Sequence, residues 1–487
     1  MAYWHKFKHW INKLHFKFNN LSPYKFILLA YLFITIISAF LLNSNFSQTN
    51  ESIRNGNVKF LDSLFLAASA FSDTGLTTVN LVKDFNVLGQ AIVAILILTG
   101  GIGIFTIKVF IVNVILNYDI SYKSNKVVST ERGCPNIGFS KQMIKVSIIF
   151  ILSSILVFSF ILTIIFYFSK IQFQNEIFNQ FNPHHNLANS MRFGVFHTIS
   201  AINNAGFDLM GDKSISPYYF SYSIHIVLII LIIIGGIGYP VIYDFYYYLK
   251  SKYYKTQFKI SLFSKISIFT FLIFTLLGIS GTLLIEYILN KEQYKDNHFS
   301  NIYNLIFNTI STRSAGFSTM DISKLHAGTK WLFSILMIVG NAPSSTAGGI
   351  RTTTIAIIFL TLLANFRSKN RVMVFKRTIP SQTSINALIV FVLAIFLING
   401  STFVILIAES HKNNFKFLDA FFIISSAFGT SGLATSEVKD LETISKLTII
   451  LIMFIGQLGI SSTILVWGSR KKQALNYRYV EENVIIG

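Results

Sequence analysis

The chain has 487 residues, 52% hydrophobic and only 13% charged, too little charge to cover the two or three soluble domains that such a length would form. Aromatic residues at 15% and seven prolines exclude a disordered chain, and the single cysteine, Cys134, excludes a disulfide framework or a cysteine-rich metal site. A net charge of +20 raises nucleic acid as a partner, and the placement of the basic residues decides that question.

Residues 1–23 read as a cytoplasmic amphipathic segment. Phe7, Trp10, Ile11, Leu14 and Phe18 follow helical spacing with Lys6, Lys8, Lys13 and Lys17 between them. That pattern suits an interfacial helix on an anionic leaflet, and it does not read as a cleavable signal peptide. Eight long apolar runs follow, at 24–42, 88–117, 145–168, 219–243, 263–290, 331–364, 385–408 and 445–468, near the ~20 residues a spanning helix needs. The polar segments 1–25, 119–145, 244–265, 366–385 and 469–487 hold 24 of the 41 Lys and Arg but only 5 of the 21 Asp and Glu. They alternate strictly with nearly balanced segments, as the positive-inside rule requires of a multi-pass cell-membrane protein with both ends cytoplasmic. The positive charge is topogenic, and the lipid bilayer replaces nucleic acid as the partner.

The eight runs form four pairs, each enclosing a short helix that ends in a small-residue turn. The repeats occupy 24–118, then 119–250 and 366–468 with a leading cytoplasmic loop each, and 251–365 for the third; a cytoplasmic tail covers 469–487. The enclosed helices, roughly 59–71, 190–202, 301–311 and 416–427, are too short to cross a bilayer and read as re-entrant. Their turns lie at Gly75, Gly206, Gly316 and Gly432, each followed by a strand-like exit. Glycine clusters recur in phase in the following runs, at Gly100-Gly101-Ile-Gly103, Gly235-Gly236-Ile-Gly238, Gly340 and Gly456-Gln457-Leu-Gly459. They begin 25, 29, 24 and 24 residues after the turn glycines. Close packing and hinging both account for such glycines. A register kept four times predicts an all-α polytopic membrane protein of four helix–re-entrant loop–helix repeats around one axis.

Backbone that is not helical at membrane depth survives only where it is buried or lines a wet cavity. Glycine adopts positive φ at no steric cost, so carbonyl oxygens of four such turns can face one axis and replace the hydration shell of a monovalent cation. The expected filter is Thr74, Gly75, Ala205, Gly206, Ala315, Gly316, Ser431 and Gly432, with Asp73, Asn204, Ser314 and Thr430 beside it. The short helices aim their negative carboxyl-terminal ends at the ion, and Asp73 adds attraction. In the third repeat the apolar run is split by Gly340-Asn-Ala-Pro-Ser-Ser-Thr-Ala-Gly-Gly-Ile-Arg-Thr-Thr-Thr354. Pro343 and three glycines break the helix, and neither half spans alone. A polar loop just below a filter obstructs conduction, so residues 340–350 read as a gate, with Gly340, Ser344, Ser345, Thr346, Gly348, Gly349 and Arg351 as its candidate residues. No Gly-Lys-Ser/Thr follows, so it is not a phosphate loop.

The four turn glycines in their helix contexts and the Ser345-Thr-Ala-Gly-Gly-Ile-Arg-Thr-Thr-Thr354 loop resemble the Trk/Ktr superfamily of potassium uptake proteins, nearest its Ktr-type membrane subunit, over about residues 24–468. The resemblance implies potassium uptake by a potassium-channel-like subunit, its four M1–pore loop–M2 repeats arranged pseudo-fourfold around a central pore, and a homodimer gated by a cytosolic ring of nucleotide-binding (RCK/KTN-type) regulatory subunits. It implies no cofactor bound by this chain, only potassium as cargo with sodium as a candidate stimulator. It also implies an arginine after the glycine of the Phe-Ile-Gly segment, where this chain has Gln457. A weaker electrostatic barrier follows, unless Arg351 or Lys108 substitutes.

Among the remaining charges, Arg313 beside the third turn is expected to brace the pore helix, paired with an acid behind it. Glu286 is expected at the interface, and His197 in the core. His184 and His185 lack the company a metal site needs. Two other functions fit less well. An ion-binding subunit of a potassium-pumping ATPase complex would share the four-repeat filter but not the 340–354 loop. A membrane enzyme needs paired acids or a sizeable extramembrane domain, and neither is present.

Overall fold

The computed structural model describes residues 22–119, 121–132, 141–172, 181–211, 214–290, 298–369, 371–412 and 415–460. The amphipathic segment 1–21, Cys134 and the tail after 460 lie outside these residues.

The first repeat opens with α1 (Pro23–Asn43), started by Ser22, whose Oγ accepts from the Lys25 amide at 3.4 Å, and by Pro23 at the first helical position. The short helix α2 (Phe60–Phe71) follows, then α3 (Val87–Ile102) and α4 (Ile104–Phe110), which meet at a 79° bend. The connection to the second repeat carries α5 (Tyr122–Glu131). That repeat consists of α6 (Lys141–Phe168), α7 (Leu187–Ile202), α8 (Tyr222–Gly236) and α9 (Tyr239–Tyr253), the last two bent by 101°. The third has α10 (Leu262–Leu289), α11 (His298–Ser311), α12 (Ala327–Ile338) and α13 (Thr352–Phe366). A two-stranded hairpin, β1 (Val372–Val374) with β2 (Arg377–Ile379), leads to the fourth. That one comprises α14 (Ser381–Ala408), α15 (Phe417–Phe428) and α16 (Thr443–Leu458).

Four described helices, α1, α6, α10 and α14, are individually long and apolar enough to cross a membrane, and the two bent pairs raise the number to six. Their outer faces stay apolar, as at Phe33, Phe160, Leu276 and Phe396, which is what a helix solvated by lipid tails requires. The four short helices are instead almost wholly buried over their carboxyl-terminal halves, and each packs against the first spanning helix of its own repeat. The exits beyond the four turns are irregular rather than strand-like. Among the described residues no sheet partner adjoins them, and in the third a buried side chain holds the exit in place: the Asn308 amide group brackets Thr319 at 3.0 and 3.2 Å.

Candidate functional site

Each short helix ends in the same way. In repeats 1, 2 and 4 the residue two before the turn glycine takes positive φ: Asp73 (51°), Asn204 (55°) and Thr430 (47°). The next amide reaches back five residues, from Thr74 to Ser69 O (2.9 Å), from Ala205 to Ser200 O (2.8 Å) and from Ser431 to Ser426 O (2.8 Å). This is a Schellman ending; Asp73 and Asn204 tolerate the left-handed region through their short polar side chains, whereas the β-branched Thr430 takes it against its preference, its Oγ1 accepting from Gly348 N. The third repeat differs: Ser314 also sits at φ 61°, but Ala315 N and Gly316 N share the Ser311 carbonyl.

The chain then turns at Gly75, Gly206, Gly316 and Gly432, with φ of 86°, 69°, 76° and 85°. These glycines encircle one axis. A Cβ placed on Gly206 would lie 2.8 Å from the Ala315 carbonyl oxygen and 2.8 Å from Gly316 Cα. The same space at Gly75 is taken by the Ala205 carbonyl, at Gly316 by that of Ser431, and at Gly432 by that of Thr74. The contacts run from each repeat to the next and close on the first. All eight residues of the expected filter therefore belong to one ring, with the carbonyls before the glycines packed into it.

The glycine clusters divide the two roles that sequence left open. The first glycine packs: Gly100 meets the Phe71 carbonyl, Gly235 that of Ile202 and Gly456 that of Phe428, each at the end of its own repeat's short helix. The last glycine breaks the helix, with φ of 83° at Gly103, 85° at Gly238 and 81° at Gly459. The middle position touches the following repeat, as Gly101 does the Asn203 side chain and Gly236 that of Asn341. In the fourth repeat Gln457 fills this position, and its Nε2 donates to Asp73 Oδ2 at 3.2 Å. Asp73 is thus fully buried beside its turn, with one carboxylate oxygen held by Gln457 and the other unpartnered among the described residues.

Residues 340–350 fill the space beneath the ring and are buried throughout. Ala342 N donates to Gly236 O (3.3 Å), Thr346 N to Gly235 O (3.4 Å) and Gly348 N to Thr430 Oγ1 (2.7 Å). Thr346 Oγ1 lies 3.2 Å from the Asn204 side-chain amide. Gly349 has φ 78° and Ser344 65°. The Ser344 and Ser345 hydroxyls are buried and, among the described residues, unpartnered. Arg351 Nη2 reaches the Gln457 carbonyl at 3.3 Å, and Nη1 the Ala347 carbonyl. A guanidinium therefore does stand beside Gln457, whereas Lys108 is exposed.

Arg313 braces this region, but through carbonyls rather than an acid. Its Nη1 donates to Val339 O (2.7 Å) and Nη2 to Gly340 O (2.9 Å), with the Phe271 and Phe274 rings 5.4 and 5.9 Å away. Two carbonyls freed by the broken helix take the place of the expected carboxylate. Replacing Arg313 with Leu strands both carbonyls and is expected to cost roughly 2–4 kcal/mol. The melting temperature of detergent-solubilised protein measures this, and an unchanged value contradicts it.

Glu286, near the end of α10, is fully buried and accepts from His326 N (3.0 Å) and Asn290 Nδ2 (2.9 Å). His197 is a core residue as expected, its Nδ1 2.7 Å from Phe193 O. Among the described residues no cluster of His, Cys, Asp and Glu is arranged to hold a metal. Sequence reasoning missed Glu131 and Arg132, which it left in a cytoplasmic loop. Both are buried against the break at Gly103, where a Cβ would lie 2.7 Å from Glu131 Oε2 and 2.7 Å from Arg132 Nη2. The adjacent opposite charges at the end of a basic polar helix were the available signal.

The sequence matches the TrkH family, described as cation transport proteins, over residues 12–476. It is 38% identical to an uncharacterized cation transporter of Mycoplasma pneumoniae, with 88% of this chain and 86% of that one covered. It is 32% identical to the Ktr system potassium uptake protein D of Bacillus subtilis, over 96% of this chain and 98% of that one. The fold matches the crystal structure of the potassium transporter TrkH from Vibrio parahaemolyticus with a TM-score of 0.64 at 17% identity, covering 92% of this chain and 85% of that one. These matches set aside the membrane-enzyme alternative. The chain is a multi-pass membrane protein and belongs to the TrkH family of cation transport proteins.

Proposed function

We propose that this chain takes up potassium through a central pore whose filter is formed by the backbone carbonyls around Gly75, Gly206, Gly316 and Gly432. The observation that carries this reading is the closed ring of positive-φ glycines, each packed against the carbonyl before the next. Main-chain oxygens held in a ring, with the carboxyl-terminal ends of four buried helices behind them, present negative potential to a dehydrated monovalent cation without any ionised side chain. Potassium is the cargo, a reading supported by the potassium uptake protein of Bacillus subtilis and the potassium transporter of Vibrio parahaemolyticus that the chain resembles, and sodium is a candidate stimulator. Residues 340–350 act as the gate. Both termini face the cytoplasm, following the distribution of basic residues. The functional unit is a homodimer under a cytosolic nucleotide-binding regulatory ring, as the family resemblance implies.

The test is complementation of a bacterium deficient in potassium uptake, grown at limiting potassium. Wild type should restore growth, and variants of the ring and the loop should alter it in opposite directions. Failure of wild type to restore growth, with protein present in the membrane, contradicts the reading.

Gln457 modifies the gate. Arg351 beside it supplies one positive charge beneath the filter. Gln457→Arg adds a second, within reach of Asp73, and is expected to lower basal rubidium flux by roughly threefold or more. Unchanged basal flux in that variant means that Arg351 alone already sets the barrier.

A further inference from the structure

We propose that Glu131 and Arg132 form a latch through which the connection between the first and second repeats positions the gate loop. The inference rests on the gate reading above and adds residues that lie outside the loop.

At the Gly103 break the helix frees the amides of α4, and the Glu131 carboxylate takes two of them. Oε1 accepts from Phe105 N at 3.0 Å, and Oε2 from Thr106 N at 2.9 Å and Thr106 Oγ1 at 2.7 Å. Uncompensated amides at this depth are costly, so the carboxylate fixes α5 to the break. Arg132 then extends inward. Its Nη1 donates to Gly101 O (2.9 Å) and Nε to Thr106 Oγ1 (3.1 Å), and its guanidinium carbon lies 4.5 Å from the centre of the Tyr239 ring. Arg132 is 5% exposed, and its Nη2 has no partner among the described residues. A desolvated cation over an aromatic face is a strong contact.

Tyr239 joins this cluster to the gate. Its ring is pinned by the guanidinium, and its hydroxyl donates to Ile102 O at 3.2 Å. Its own amide, freed by the break at Gly238, donates to the Ser344 carbonyl of the gate loop at 3.2 Å. Gly238 lies against the neighbouring residue of the loop, since a Cβ there would sit 2.6 Å from the Pro343 carbonyl. The path from α5 to the loop is therefore continuous: carboxylate, guanidinium, aromatic ring, amide, loop carbonyl. The fully buried Tyr239 cannot shift without moving Ser344 or breaking this bond. α5 itself carries exposed polar residues such as Lys126 on the polar connection, where a cytosolic contact can pull on the latch. In this arrangement Glu131 and Arg132 are positioning residues: they act on ions through the loop.

A plain brace and a latch differ in one respect: only a latch needs the loop in order to affect flux. Rubidium flux into proteoliposomes is measured for wild type, Arg132→Gln, Arg132→Lys, the deletion of residues 341–347, and Arg132→Gln combined with that deletion. Arg132→Gln is expected to raise basal flux roughly threefold or more, the effect of losing the cation from the ring face. Arg132→Lys keeps a cation there and should fall between Arg132→Gln and wild type. In the deletion background Arg132→Gln should change nothing. A flux increase in the deletion without one in Arg132→Gln overturns the latch alone. A deletion that leaves flux at the wild-type level overturns the gate reading, and the latch falls with it. Equal losses from Arg132→Gln in both backgrounds reveal a brace and also overturn the latch. Amide hydrogen exchange across 340–350 gives a second reading that needs no deletion. It should speed up in Arg132→Gln, and unchanged exchange counts against the proposal.

Discussion

Gly316→Ser is expected to abolish rescue at limiting potassium, with uptake falling at least roughly tenfold and potassium losing ground to sodium. The backbone at Gly316 has φ 76°, which costs a residue with a Cβ about 1–2 kcal/mol. The side chain has no space either, because the Cβ would enter the Ser431 carbonyl and approach Gly206 Cα to 2.9 Å. Either the ring opens or the Ser431 carbonyl rotates off the axis. Both remove ligands from the ion, and each ~1.4 kcal/mol lost at a binding site is a factor of ten. Because the contacts are cyclic, serine at Gly75, Gly206 or Gly432 should act alike. Gly400, on a spanning helix with nothing within 4 Å of a Cβ, is the control: Gly400→Ser should rescue as wild type does. Rescue by Gly316→Ser at wild-type rates would remove the filter assignment.

The ring was legible in sequence because it is made of backbone. A position that demands positive φ and tolerates no Cβ can hold only glycine, so four equivalent turns leave four glycines in register. The short helices were legible for a related reason, being amphipathic and too short to span, and each ending in a small-residue turn. What sequence did not resolve is how the repeats touch. Which glycine packs on its own repeat's short helix and which touches the next repeat is decided by the fold, as is the meeting of Gln457 with Asp73 across 384 residues. Arg313 looked like half of an ion pair, because carbonyls freed by a helix break leave no trace in composition. Glu131 and Arg132 were hidden for the opposite reason. They sit in a segment whose basic charge reads as topogenic, and only the fold carries them inward. Side-chain identity announced the sites that depend on sterics, while those that depend on long-range hydrogen bonding needed coordinates.

Deleting residues 341–347 is expected to raise the initial uptake rate roughly threefold to tenfold, the range given by tilting a closed-to-open equilibrium by about 1 kcal/mol or slightly more. The excision is sterically sound. Gly340 already lies against Gly348, with 3.0 Å between a Cβ on the former and the carbonyl carbon of the latter. Val339 and Ile350 bridge beside them, with the Ile350 amide 3.0 Å from the Ile338 carbonyl. The two ends can therefore join without moving α12 or α13. Arg313 keeps both of its carbonyls, at Val339 and Gly340. The deletion removes the buried segment beneath the ring and its bonds to Gly235 and Gly236, while the filter turns keep their own helix-end hydrogen bonds. Thr346→Val is the milder version, since it takes away only the hydroxyl contacts to Asn204 and Gly235. It should give a smaller increase in the same direction. Faster uptake without loss of the preference for potassium separates a gate from a filter, because the oxygens that choose the ion remain in place. A deletion variant that reaches the membrane at wild-type levels and takes up potassium no faster shows that the loop does not limit conduction.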